Sequence, residues 1–306
     1  MVAVKKKTVV KKNQVLPPST QKQKVVKKLT GYYAQIRSRH PSHNVFRGKA
    51  ALKMPFRSVI RFGSTTELDD NRIEINSTES IKNSASKLRM KNCFTEAGVK
   101  TADWFTVEKI GGGYQFISMT NKNLNIDIAT LPYPIVAKHH FGSRGNGNYL
   151  LNSQQELQAW MKGKDLSNYL FEKFYNYVRE YRVHVSANGC FYTCRKMLKS
   201  DIPKEDRWFR NDSNSVWILE ENPLFDRPAN WTKIVEESVK ALNATGLDVG
   251  ACDVRVQSAK DSKGNKRKEV DFIIIEINSA PSMGERTEIE YLKELPKLLK
   301  DKFVNK

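Results

Sequence analysis

Carboxylates are missing from the first 66 residues; the first acidic side chain is Glu67. Nine lysines stand among residues 1–30 and seven further lysines and arginines among residues 31–66. Sixteen of the nineteen net positive charges of this 306-residue chain therefore precede Glu67, and the rest of the chain is close to neutral. Residues 1–30 also lack aromatics and periodicity, which predicts a largely disordered basic tail. Such a tail suits nucleic acid or another acidic partner engaged through residues 1–66, and it suits a purely solubilising role equally well. The stretch "GYYAQIRSRHPSHNVFRGKAA" (31–51) mixes aromatics with Arg and His. A nucleic-acid surface has that composition, and so does a loop-rich extension packed on the body.

Other absences narrow the class. No apolar run approaches the roughly 20 residues that cross a bilayer, so no membrane partner is expected. The opening "MVAVKKKTVVKK" has no apolar core and no cleavage site, which predicts a chain that is not secreted. The four cysteines, Cys93, Cys190, Cys194 and Cys252, form no CxxC pair. Reduced thiols in a cytoplasmic setting are expected, without a zinc site. There is no internal repeat, no Walker A loop and no Rossmann fingerprint.

The chemistry-bearing segments lie after residue 56. In "INSTESIKNSASKLRMKNCFTEAGV" (75–99) a strand end gives way to a helix capped by Ser77 or Thr78. A second helix follows and stops at Gly98. "PIVAK" reads as a buried strand that delivers Lys138 to a loop carrying Gly142, Gly145 and Gly147. Glycines let backbone N–H groups approach phosphate oxygens, and the lysine adds a charge for the same phosphates. Ser153 and Glu156 form a capping box for the next helix. In "VREYRVHV" the residues Glu180, Arg182 and His184 share one strand face, with Tyr181, Val183 and Val185 on the other.

The segments "LDVGACDVRVQ" (247–257) and "EVDFIIIEIN" (269–278) are predicted to pair as a hairpin. Glu276 and Asn278 then project side by side, with Ile275 and Ile277 turned the other way. Antiparallel pairing brings Asp253 near Glu276 or Asn278. Three oxygen donors at one cleft fit a hard cation beside a nucleotide.

In their order, "INSTESIKNSASKLRMKNCFTEAGV", "PIVAKHHFGSRGNGN", "FEKFYNYVREYRVHV", "FRND", "ACDVRV" and "IIIEINSAPSMG" resemble the ATP-grasp superfamily of carboxylate–amine ligases over residues 57–300. The nearest likeness is to the glutamate ligases that extend the C-terminus of a ribosomal protein, with a looser one to D-alanine–D-alanine ligase. The resemblance implies an α/β ATP-grasp fold, with α+β lobes that hold the nucleotide between them. It implies four regions: a basic tail over 1–30, an extension and shortened N-terminal domain over 31–100, a first lobe over 101–185 and a second over 186–306. Lys87 and Lys138 match the lysines that grip ATP phosphates, and Gly142, Ser143, Gly145, Asn146 and Gly147 match the mobile loop above them. Glu172, Lys173 and Phe174 match the adenine hinge, and Glu180 the ribose carboxylate. Asp253, Glu276 and Asn278 match the Mg²⁺ ligands, which Mn²⁺ can share. Arg210 and Asn211 match residues near an acyl phosphate, and Arg195 with Lys196 a basic position on the substrate side. The implied reaction joins an unknown carboxylate to an unknown amine at the expense of ATP. A kinase acting on a small polyanion, or a nucleic-acid-binding protein with a regulatory ATP site, are the alternatives.

Overall fold

Short runs rich in Val, Ile and aromatics, broken by glycine turns, fold into four sheets of a mixed α/β protein. The computed structural model describes residues 31–68, 71–120, 124–142 and 147–306. The expected tail over 1–30, and Ser143, Gly145 and Asn146 of the glycine loop, lie outside the described residues. Residues 31–306 form one compact unit.

The chain first lays down β1 (Tyr32–Tyr33), β2 (Gln35–Ser38), β3 (Lys53–Met54), β4 (Ser58–Phe62) and β5 (Ile73–Ile75). β1 and β3 make a two-stranded ribbon, while β2, β4 and β5 make a parallel sheet. Helices α1 (Thr78–Ala85) and α2 (Lys87–Glu96) follow. Ser77 caps α1 by accepting from the Ser80 N–H at 3.1 Å, and Ser86 both ends α1 and caps α2. Gly98 then takes φ 65°, a conformation that suits glycine and stops α2 where the sequence predicts.

A six-stranded antiparallel sheet comes next. It contains β6 (Trp104–Ile110), β7 (Gly113–Ser118), β8 (Leu124–Ile126), β9 (Ile135–His139), β10 (Asn148–Leu151), helix α3 (Gln154–Met161) and β11 (Tyr169–Lys173), ordered β10-β9-β11-β6-β7-β8. Half of the expected capping box is present: Ser153 accepts from the Glu156 N–H at 3.2 Å, while the Glu156 carboxylate accepts from the N–H of Asn152, one residue before the cap, at 2.8 Å. One face of this sheet packs Phe105, Phe116 and Phe171 with Leu157 of α3.

The last sheet is built from β12 (Arg179–Ser186), β13 (Gly189–Leu198), β14 (Ser215–Leu219), helix α4 (Trp231–Thr245), β15 (Val249–Val256) and β16 (Phe272–Asn278), ordered β14-β13-β12-β15-β16. The division between the two large sheets falls between Lys173 and Arg179, so β12 lies in the second sheet, ahead of the 185/186 boundary read from sequence. Tyr181, Val183, Val254 and Ile274 bury one face against α1, α2 and α4. Helix α5 (Glu285–Val304) covers the far end of the other face and packs Tyr291 and Leu295 against Phe46, Phe62 and Leu52 of the N-terminal layer. No helix among the described residues is long and apolar enough to cross a membrane.

Asn76 joins the N-terminal layer to β15. It is fully buried with φ 61°. Its carboxamide donates to the carbonyls of Arg61 (3.2 Å) and Val249 (3.0 Å) and accepts from the N–H groups of Asp248 (2.9 Å) and Val249 (3.2 Å). Asn76→Ala leaves these four buried backbone groups unpaired, and Ala is also poor at positive φ. The expected loss is about 3 kcal/mol or more, read from urea midpoints. Asn76→Gly relieves the φ penalty and should recover about 1 kcal/mol of that loss.

Candidate active site

The cleft between the two large sheets has a volume of about 500 Å³ and is closed on its third side by the start of α2 and by residues of the N-terminal layer. Strand alternation decides which side chains reach it. On β12 these are Glu180 and Arg182, on β13 Lys196, on β15 Asp253 and Arg255, and on β16 Glu276 and Asn278. β9 and β11 supply Lys138 and Glu172 from the opposite wall.

Glu172 stands between two ammonium groups, Lys138 at 2.7 Å and Lys91 at 3.2 Å. Burial alone would raise its pKa, but the two lysines more than offset this and hold the carboxyl below its ordinary range. Lys91 is buried and also donates to Thr101 Oγ1 at 2.5 Å. Burial pushes it down to about 8 against the pull of Glu172. Sequence reasoning missed Lys91. The signal was available, because Lys91 follows Lys87 by four residues and so shares its helix face. Lys87 donates to the Gly142 carbonyl at the start of the glycine loop, and burial lowers its pKa. Gly147 closes the loop at φ 77°, where an added Cβ would stand 3.0 Å from the His139 Cβ. Lys173 and Phe174 line the cleft beyond Glu172. The Phe174 N–H is bonded to the Pro134 carbonyl at 2.9 Å.

Glu180 is buried under three cations: Arg255 at 3.4 Å, Lys196 at 3.5 Å and Arg210 at 3.8 Å. Arg210 donates to the Val178 carbonyl at 2.7 Å, and its Nε, also buried, has no hydrogen-bond partner among the described residues. Burial lowers its pKa to about 10, with Glu180 opposing the shift. Asn211 lines the cleft, but its carboxamide oxygen accepts from the N–H groups of Ser213 and Asn214, both at 3.0 Å, and so closes a turn. Arg195 lies on the face of β13 turned away from the cleft. It pairs across the sheet with Tyr181, on the helix-covered face, and bonds to Asp226 away from the cleft. Its neighbour Lys196 faces the cleft because successive strand residues alternate.

The three expected metal ligands do converge. Asp253 and Glu276 are register partners, and Asn278 Nδ2 lies 3.2 Å from Glu276 Oε1 and 3.4 Å from Asp253 Oδ2. Arg182, opposite Asp253 in register, grips it with two bonds of 2.7 and 2.9 Å. Burial opposes ionisation of Asp253, but Arg182 outweighs burial and holds its pKa down. Among the described residues no three His, Cys, Asp or Glu side chains are grouped so as to hold a metal ion. The donor set is two carboxylates and a carboxamide. All three carry oxygen, the donor that Mg²⁺ takes, and Glu276 is in no ion pair among the described residues, so the set fits a hard cation. Ile275 departs from the expected alternation. A bulge in β16 leaves it opposite the Asp253–Val254 step, and it lines the cleft; Ile277 borders the cleft too but is buried in the core.

Other polar features lie apart from this constellation. His184, next in the charged row of β12, sits beneath α5 beside the Tyr291 hydroxyl at 3.2 Å, and burial together with Arg182 lowers its pKa to about 3. A larger hollow of about 740 Å³ between β5 and α5 contains none of the expected site residues. Its Lys302 and Asp248 are bonded to each other at 2.7 Å.

No family model matches the sequence, and no curated protein matches it. Among solved structures, the chain is similar to D-alanine–D-alanine ligase from Bacillus anthracis at 15% identity, over 76% of this chain and 70% of that one, with a TM-score of 0.48. It is similar to carboxyaminoimidazole ribonucleotide synthase from Aspergillus clavatus, complexed with ATP, at 17% identity over 72% and 53% of the two chains, with a TM-score of 0.47. A third likeness is to the ATP-grasp ligase PsnB complexed with a minimal precursor, at 12% identity over 76% and 66%, with a TM-score of 0.47.

Proposed function

We propose that this protein is an ATP- and Mg²⁺-dependent carboxylate–amine ligase of the ATP-grasp type, adding an amino acid or similar amine to a protein, peptide or other acceptor. One observation carries the reading: residues from motifs far apart in sequence, Lys87, Lys138, Glu180, Arg210, Asp253, Glu276 and Asn278, line a single cleft. In the proposed reaction a carboxylate attacks the γ-phosphate of ATP, giving an acyl phosphate and ADP. An amine then displaces phosphate and forms the amide.

The chain's own residues have distinct tasks in this scheme. Lys138 and Lys87 meet the phosphates in a partly buried site, where each charge acts more strongly than in water. Glu172 fixes the ammonium of Lys138, and Lys91 completes that pair from below. Asp253, Glu276 and Asn278 would hold Mg²⁺, or Mn²⁺ in its place, which when bound neutralises charge on the transferring phosphoryl group. The Arg210 Nε has a donor to offer a developing oxyanion. Glycine-loop closure would exclude water, which otherwise hydrolyses the acyl phosphate.

Mass spectrometry of products from ATP, pooled amino acids and candidate acceptors tests the reaction. ADP release that requires both an acid and an amine supports it, whereas stable phosphorylation of one substrate makes the protein a kinase. The division of labour among lysines is tested by calorimetry. Lys138→Ala should raise the Kd for ATP at least about tenfold, the loss of one charge-assisted bond, while Lys196→Ala stays within about twofold. Neither change strands a carboxylate, because Glu172 keeps Lys91 and Glu180 keeps Arg210 and Arg255. Equal affinities in the two variants would contradict the assignment.

A further inference from the structure

The ribbon of β1 and β3 carries two aromatic rings that the core does not use. Tyr32 and Tyr33 are 46% and 52% exposed, while Phe46, Leu52 and Met54 of the same extension are buried against the body. The ribbon is a sheet of its own. A pairing this short has little stability by itself, and its place is fixed by the packing of its neighbours. Each ring carries a cation over its face, Arg57 at 5.7 Å from the Tyr32 centroid and Lys53 at 5.6 Å from that of Tyr33. Neither cation forms an ion pair among the described residues. Arg47 and Lys49 are exposed on the same extension, residues 31–66 contain no carboxylate, and the nine lysines of residues 1–30 immediately precede the ribbon in sequence.

We propose that this ribbon binds single-stranded nucleic acid, with one stacking ring on each of its two faces, as successive strand residues alternate. Two features are needed together for such binding: a π face on which an unpaired base can stack, and a cation beside it for the neighbouring phosphate. Tyr32 with Arg57 and Tyr33 with Lys53 each supply both. A duplex keeps its bases stacked inside and offers these rings no face. An acidic protein satisfies the cations and leaves the exposed rings without a role. The proposal does not depend on the ligase reading.

Fluorescence anisotropy of the full-length chain with labelled oligo-uridine tests it, with a duplex of matched length and polyglutamate as competitors. Tyr32→Ala/Tyr33→Ala should weaken oligo-uridine binding at least about tenfold with no change in salt dependence. Tyr32→Phe/Tyr33→Phe should stay within about twofold of the parent, since the rings remain. Lys53→Gln/Arg57→Gln should reduce the slope of log affinity against log salt by roughly 0.7 per cation removed. Melting midpoints should be unchanged in all three. Tyr33→Ala alone, at the more exposed ring, gives the same reading with the least risk to the fold. Unweakened binding by the alanine variants overturns the proposal. So does competition by duplex or polyglutamate as effective as that by oligo-uridine at equal charge, which would leave a non-specific polyanion surface.

Discussion

Glu276→Gln should abolish Mg²⁺-dependent ATP turnover, by about 10²–10³-fold or more, and leave the fold intact. The magnitude is that of removing one group that stabilises transition-state charge in a preorganised site. The substitution is well chosen because of what Glu276 does not do. It forms no ion pair among the described residues, and its carboxylate accepts a hydrogen bond from Asn278 Nδ2. Gln preserves the shape and removes only the charge. Asp253→Asn is a poorer test of the same idea. Asp253 holds Arg182 through two bonds, both side chains are mostly buried, and uncoupling such a pair costs about 3–5 kcal/mol. Loss of activity there would follow from unfolding as readily as from loss of the metal. The measurement is ADP release across a Mg²⁺ titration, with a thermal melt of each variant. Turnover of Glu276→Gln within twofold of the parent, at any Mg²⁺ concentration, removes Glu276 from the proposed metal site.

Most of this cleft could be read from local pattern. The β15–β16 hairpin, the Ser77 and Ser153 caps, the stop at Gly98 and the approach of Asp253 to Glu276 all follow from spacing, capping chemistry and strand periodicity, which are properties of short segments. The features that escaped depend on partners distant in sequence or on breaks in periodicity. Arg182 lay in plain view within a charged row, but its grip on Asp253 depends on the register between β12 and β15. Lys91 resembles any helical lysine until β11 places Glu172 against it. Arg195 and Lys196 are one residue apart, and only the phase of β13 in its sheet decides which of them meets the cleft. The bulge that turns Ile275 into the cleft breaks the alternation on which the sequence reading relied.

Glu172→Gln should destabilise the protein by about 3 kcal/mol where Lys91 is charged in both folded proteins, with a deficit that shrinks as pH rises towards about 8. The variant leaves Lys91, 1% exposed, without its anionic partner, and breaking one side of a buried pair costs about 3–5 kcal/mol. Lys138, at 12% exposure on the cleft wall, reaches water more readily and contributes less. The pH dependence follows from proton counts. In the parent, Lys91 titrates at about 8 when folded and near 10.4 when unfolded, so between these values the unfolded chain binds more protons and stability rises with pH. Removing Glu172 takes away the main group that raises the Lys91 pKa, so the folded value drops further and the rise begins at lower pH. Below about 8 the variant therefore bears a larger cost for burying an ammonium than the parent does. Above 8 Lys91 is largely neutral in both folded proteins, and this part of the deficit disappears. At the acid end the parent has its own loss. The depressed pKa of Glu172 gives stability that is present above about 4.3 and is lost as pH falls through the folded value, a loss the Gln variant does not share. Chemical denaturation at a series of pH values reads all of this, and Lys91→Met added to Glu172→Gln supplies the check. It replaces the stranded ammonium by an apolar chain of similar length and should recover much of the deficit where Lys91 is charged. A deficit that stays constant from pH 6 to 10, or a double variant no more stable than Glu172→Gln alone, would mean that Lys91 does not set the cost of losing Glu172.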